Sequence, residues 1–215
     1  MTGLGWIGIL RLGLVQTALG SVIVLMTATL NRVMVVELAF PAVLAGTLFA
    51  VYYATQFLRP HFGHGTDRGG RRTPWIIGGV VMLAIGGISA TLAVALMASA
   101  PAWGIVAAVP AFLLIGLGIG AAGTNVLALL AALVAPERKA AAGSAVWIMM
   151  VAGLASTGIS VGIYLDEFSF RGLAEIASII CIGAVLLTLI GVWGVERRAI
   201  AEQGPPQQSH AAFRT

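Results

Sequence analysis

The sequence predicts an all-α integral membrane protein of six transmembrane helices. Three observations carry this prediction. Of the 215 residues, 59% are hydrophobic and only 9% are charged; the mean hydropathy is +1.00; and the apolar residues gather into six long runs. Soluble domains devote about a quarter of their residues to charge, so lipid is the solvent expected for most of this chain. Inside a bilayer each backbone amide must be satisfied within the protein, which leaves helices or a closed barrel. The runs lack the alternation of barrel strands, and helices follow.

A helix needs about 20 residues to cross roughly 30 Å of hydrocarbon. Charges, prolines and polar clusters then divide the chain into spans at 12–31, 41–58, 75–97, 103–134, 142–165 and 173–195. The first apolar stretch exceeds a signal-peptide core and runs into Asn31-Arg32 without a small-residue cleavage site, so it is read as a retained helix. Ahead of it, residues 1–10 are expected to form a short amphipathic lead-in with Trp6 at the interface. The fourth span is the longest and contains Pro110, where a kink or an interfacial first turn is expected. Trp75, Trp103 and Trp193 fall near span ends, as in an aromatic belt. Among the 28 glycines, Gly116/Gly120 and Gly158/Gly162 stand four apart, a spacing that lets helices approach closely within the bundle or at a dimer interface. The single cysteine, Cys181, lies in an apolar run and is expected to pack there. After Arg198 the chain turns polar and proline-bearing, so residues 1–198 form the transmembrane bundle and 199–215 a polar cytoplasmic tail or linker.

Sidedness follows from the basic residues. Arg11, Arg59, Arg68, Arg71, Arg72, Arg138, Lys139, Arg197, Arg198 and Arg214 fall on one set of loops and ends, against Arg32 and Arg171 on the other. That bias of ten to two places both termini in the cytoplasm. The net charge of +4 is thereby explained by topology, and a nucleic-acid partner is not expected.

Between the second and third spans stands Gly63-His64-Gly65-Thr66-Asp67-Arg68-Gly69-Gly70-Arg71-Arg72, a tight basic loop around one carboxylate. The order Gly63, Asp67, Arg68, Gly70, Arg71, Arg72 resembles the cytoplasmic loop signature of the major facilitator superfamily. The resemblance implies half of a major-facilitator-type bundle, built as a 3+3 inverted repeat, with this loop latching one state of an alternating-access cycle. A second resemblance covers nearly the whole chain. The segment Leu30-Asn31-Arg32-Val33-Met34, the stretch Leu58-Arg59-Pro60 and Val146-Trp147-Ile148-Met149-Met150 are similar to the PucC and LhaA family. That resemblance implies light-harvesting complex assembly or bacteriochlorophyll delivery in the intracytoplasmic photosynthetic membrane, or chromatophore. The implied partners are lipid, antenna and reaction-centre polypeptides, and a second six-helix half, because members of that family carry about twelve spans. Bacteriochlorophyll is the implied pigment.

Polar residues inside apolar runs are costly and mark functional positions. Gln16 in span one and Asn125 in span four are the best candidates for a contact with the bundle's central cavity, the alternative being a bond to a neighbouring helix. Asn31, Arg32 and Glu37 gather at the noncytoplasmic end, where Arg32 and Glu37 make either a structural pair or a partner contact. His61 and His64 flank the cytoplasmic loop and are candidate pigment contacts, although ordinary loop hydrogen bonds suit them as well. No histidine stands mid-membrane, so a buried pigment needs Asn, Gln, a carbonyl or water as its ligand. Trp147, beside Met149 and Met150, offers a soft apolar patch to pigment, lipid or protein. Span four carries no charge, which lowers the odds of a proton-coupled pump, yet a half-size transporter acting as a dimer stays open as the alternative. No nucleophile elbow, phosphate loop, paired-histidine zinc motif or cysteine cluster appears, which argues against an enzyme and against a metal centre.

Overall fold

The computed structural model describes residues 4–59, 62 and 71–196. Six of the expected positions, His61, Gly63, His64, Asp67, Arg68 and Gly70, lie outside the described residues, as does the polar tail. Everything regular within the described residues is helical. We label the helices α1 (Trp6–Glu37), α2 (Ala42–Leu58), α3 (Arg72–Met97), α4 (Pro101–Leu133), α5 (Lys139–Tyr164) and α6 (Phe170–Val192). Five are long and apolar enough to cross a membrane, and α2 is a shorter apolar helix. The chain is an all-α, multi-pass membrane protein.

The expected lead-in is not a separate element, because α1 begins at Trp6 and runs on without interruption. Two contacts explain the extension. Ile9 and Leu12 are fully buried, and the guanidinium of Arg11 donates to the carbonyls of Ile190 (2.7 Å) and Trp193 (2.6 Å) at the C-terminus of α6. The charge that marks a boundary in the sequence is therefore spent on capping another helix. Towards its other end α1 changes winding: Leu25–Leu30 and Val33–Glu37 are π-helical, a wide turn uncommon in long helices and frequent at functional positions. Pro110 does not end a helix either, since α4 continues through it from Pro101 to Leu133. At ~1.5 Å per residue, helices of this length outreach a ~30 Å hydrocarbon layer and accommodate by tilting or protruding.

The most extensive pairings are α3 with α4, α1 with α5, α1 with α6, α3 with α6 and α2 with α4. The set is unchanged when helices one to three are exchanged with four to six: α3·α4 becomes α6·α1, α1·α5 becomes α4·α2, and α3·α6 maps onto itself. Small residues make these contacts close. A Cβ added at Gly118 of α4 would stand 2.6 Å from the carbonyl oxygen of Gly79 and 2.6 Å from the amide of Leu83, both on α3. One added at Gly153 of α5 would stand 2.5 Å from the Thr17 carbonyl oxygen on α1. The same α1·α5 seam is bonded across by the Thr17 hydroxyl, which donates to the Met149 carbonyl at 3.0 Å. Of the glycine pairs singled out in the sequence, Gly116 packs within the bundle against Tyr52 and Thr55 of α2, whereas Gly162 has nothing near it. Cys181 is fully buried and packs beside Gly87.

Candidate functional site: a cavity between four helices

Helical spacing places one face of each of four helices around a common space of about 570 Å³. From α1 come Gln16, Leu19 and Ile23; from α2, Tyr52, with Arg59 directly after its last residue; from α4, Ile119, Gly123, Thr124 and Leu127; from α5, Trp147 and Met150. Intervals of three, four and seven recur among them and stack side chains on one face, with Gly123 and Thr124 adjacent on α4. α3 and α6 contribute none of these residues.

The wall is mostly apolar, and its polar groups are few. Gln16 is 3% exposed, lines the cavity and makes no side-chain hydrogen bond among the described residues. Tyr52 is buried beside it on α2. Arg59 stands at the end of α2, its Nε donating to Gln56 Oε1 at 2.6 Å. Gln56 in turn donates to the Gly116 carbonyl at 3.2 Å, which ties the α2 end to α4. Trp147 lines the cavity while most of its ring stays exposed. Its neighbour Met149 turns the other way, into the α1 seam against Gly13. The run Trp147 to Met150 is thus divided between a cavity and a packing interface.

Asn125 does not reach this space. It is fully buried, its amide nitrogen donates to the Ala121 carbonyl of its own helix at 2.9 Å, and its Oδ1 has no partner. Thr124, one position earlier, takes the cavity face instead. At the opposite end of the bundle Arg32 and Glu37 approach to 3.4 Å as a partly exposed ion pair. Arg32 also lines a small separate cleft of about 140 Å³ with Gly158, Gly162 and Phe168. Asn31 is half-buried in the same stretch and lines neither space.

At the end that carries most of the basic residues, Arg71 is exposed and opens α3. The first turn of α3 is capped from the far end of the chain. Glu196, 8% exposed, accepts from the amides of Arg72 (2.8 Å) and Thr73 (3.0 Å) and from the Thr73 hydroxyl (2.6 Å). Burial pushes this carboxyl up, but the Thr73 hydroxyl, the two amides and the Arg71 charge outweigh it and hold the carboxyl below its ordinary value. Leu4 closes the same end by donating its amide to the Leu133 carbonyl at 2.8 Å. Sequence reasoning missed Glu196, and it took Arg59 as a topological charge and part of a family-like stretch, not as a cavity residue. The one signal for Glu196 was an acid set directly against Arg197-Arg198 at a span end.

Residues 29–214 match the family described as PUCC protein. The chain is 47% identical over 207 residues to the bacteriochlorophyll synthase 44.5 kDa chain of Rhodobacter capsulatus, covering 95% of this chain and 48% of that protein. It is 32% identical over 201 residues to Protein PucC of Rhodobacter capsulatus (87% and 43% covered) and 30% identical over 204 residues to Protein PucC of Rhodovulum sulfidophilum (88% and 44%). The chain spans about half the length of the curated relatives it matches. With a match that takes in most of its helices, α2 to α6 and the last turns of α1, the chain belongs to the PucC family.

Proposed function

We propose that this chain is a non-catalytic accessory protein that assists assembly of light-harvesting and reaction-centre complexes, or delivers bacteriochlorophyll to them. Its place in this reading is the intracytoplasmic photosynthetic membrane of a phototrophic bacterium, with both termini cytoplasmic. The observation that supports it best is the cavity among α1, α2, α4 and α5. Its volume of about 570 Å³ falls within the ~300–1,000 Å³ of small-molecule sites, and its largely apolar wall with a few polar groups suits a large hydrophobic ligand. Bacteriochlorophyll fits that chemistry, because Gln16 brings an unpartnered amide to an otherwise greasy surface. In this role the pigment is cargo, and its magnesium needs an oxygen or nitrogen donor from the wall.

One relative's name contains the word synthase. The reading of this chain as non-catalytic draws on the lining itself, where an amide, a phenol, a hydroxyl, an indole and a guanidinium stand without a carboxylate, thiol or imidazole among the described residues. The antenna and reaction-centre polypeptides are the proposed protein partners. The exposed apolar face of α5, with Ile148, Val151, Ile159 and Ile163, offers area to them or to lipid. A second reading is a half-size major-facilitator secondary transporter acting as a dimer. The exchange pattern of the helix pairs favours that architecture, but among the described residues the cavity lining holds no acid of the kind proton coupling requires.

The test is a spectrum and a subunit inventory of the gently solubilised protein. Near-infrared pigment bands together with antenna or reaction-centre chains are expected. A particle free of both, with substrate-driven uptake after reconstitution, would replace assembly with transport.

A further inference from the structure

We propose that the side-chain oxygen of Gln16 would ligate the magnesium of a bacteriochlorophyll held in the four-helix cavity. The inference rests on the pigment-handling reading above and names the atom that recognises the cargo. Seven polar or charged side chains are buried among the described residues: Gln16, Thr29, Thr55, Thr91, Asn125, Thr188 and Glu196. Of these, Gln16 alone lines this cavity. Its amide has no hydrogen bond among the described residues, whereas Thr55, Thr91 and Glu196 are bonded and Asn125 is held by its own helix. A buried amide is retained in an apolar surface only where something completes it, and here the completing group must come from the cavity.

The chemistry of the donor selects the group. Magnesium is a hard cation that takes oxygen ligands, and a neutral carbonyl-type oxygen binds it without adding charge to the membrane interior. Histidine, the other common donor for such a metal, is absent from positions 4–59 and 71–196. Tyr52 and Thr124 offer hydroxyl oxygens on the same wall. They are poorer donors than an amide oxygen, and their place is beside the ring, as partners for peripheral carbonyls. Trp147 and Met150 on α5 supply flat, polarizable surface facing α1.

The experiment compares two pigments on the full chain in detergent: bacteriochlorophyll, and bacteriopheophytin, which has the same ring without magnesium. Three proteins are loaded: the native chain, Gln16→Leu and Gln16→His. Retained pigment is measured after gel filtration, together with the visible band that reports magnesium coordination. The native chain is expected to prefer bacteriochlorophyll by about tenfold or more, the scale of one metal-directed contact. Gln16→Leu is expected to bind bacteriopheophytin as before and to lose that preference. Gln16→His is expected to restore the preference with a shifted coordination band. Since Gln16 has no side-chain hydrogen bond among the described residues, the leucine variant leaves no orphaned partner there, and the histidine variant guards against a folding artefact. Equal binding of both pigments by the native chain, or a preference that survives Gln16→Leu, overturns the assignment while leaving pigment handling intact. A native chain that retains neither pigment removes the pigment reading itself.

Discussion

Replacing Glu196 by alanine removes the acceptor for three donors at once: the amides of Arg72 and Thr73 and the Thr73 hydroxyl, at 2.8, 3.0 and 2.6 Å. These are the open donors of the first turn of α3, which no local side chain caps. Loss of a capping side chain costs ~1 kcal/mol, up to ~2 in favourable cases, and the negative charge at a helix start adds ~0.3–1 kcal/mol. Water reaches this end of the bundle and re-solvates part of what is lost, so the net is about 2 kcal/mol. For a chain of this size that corresponds to a fall in Tm of roughly 4–8 °C, read by thermal unfolding in detergent. Glu196→Gln keeps the shape and one acceptor but not the charge, and should fall between.

The pH dependence carries the sign. The folded carboxyl sits below its ordinary value. Its stabilisation is therefore fully present above the unfolded glutamate value of ~4.3 and is lost as pH falls through the folded value. The native chain should lose stability through that acidic window more steeply than Glu196→Gln, which has no proton to gain there. Identical Tm values for native and Glu196→Ala, or parallel acid profiles for native and Glu196→Gln, would refute the cap.

Two further outcomes follow from the packing and the charge asymmetry. Gly118→Ala drives a methyl against the backbone of α3 and should destabilise by ~1–3 kcal/mol, whereas Gly183→Ala enters open space on α6 and should be neutral or stabilising by ~0.5–1 kcal/mol, both read from thermal unfolding. Cysteines at Glu137 and Glu167, both exposed and at opposite ends of the bundle, should react with an impermeant maleimide from the cytoplasmic and the outer side respectively, with buried Cys181 silent. Reaction of both from one side would undo the proposed topology.

The positions of the helices were legible because lipid solvation leaves so strong a mark on composition: every expected span overlaps a helix, and the largest differences lie at the two ends of α1, which starts before Arg11 and runs on to Glu37. Arg11 is the instructive case. A guanidinium in the sequence reads as a boundary, and only the tertiary structure reveals that it satisfies α6 carbonyls. Glu196 was hidden for the same reason, since its partners lie 123 and 124 residues away and no local pattern encodes them. Gln16 stood out as a lone amide in an apolar run, while Asn125 looked equivalent and is not. One residue of helical phase, about 100°, separates the Thr124 position on the wall from the Asn125 position in the core, and neither flanking sequence fixes that phase. The first π-helical turn of α1 left no sequence mark, because no proline or charge accompanies Leu25–Leu30.

The location of the cavity follows from the pairing pattern. If two three-helix units are related by a two-fold exchange, a pair that maps onto itself must sit on the axis, and here that pair is α3·α6. α3 and α6 pack on each other and each on a further neighbour, and neither lines the four-helix cavity. Under that exchange the four remaining helices correspond in pairs, α1 with α4 and α2 with α5, and each of the four lends residues to the cavity. That is where Gln16, Tyr52, Thr124 and Trp147 come together, one from each of the four. A ligand site on this scaffold therefore draws on both units at once. A substitution that shifts α1 against α5, at Gly153 or Gly20, should alter cavity binding without touching any lining side chain. Loss of pigment retention in Gly153→Ala with Gln16 intact would tie the cavity to that seam, and unchanged retention in a folded variant would separate the two.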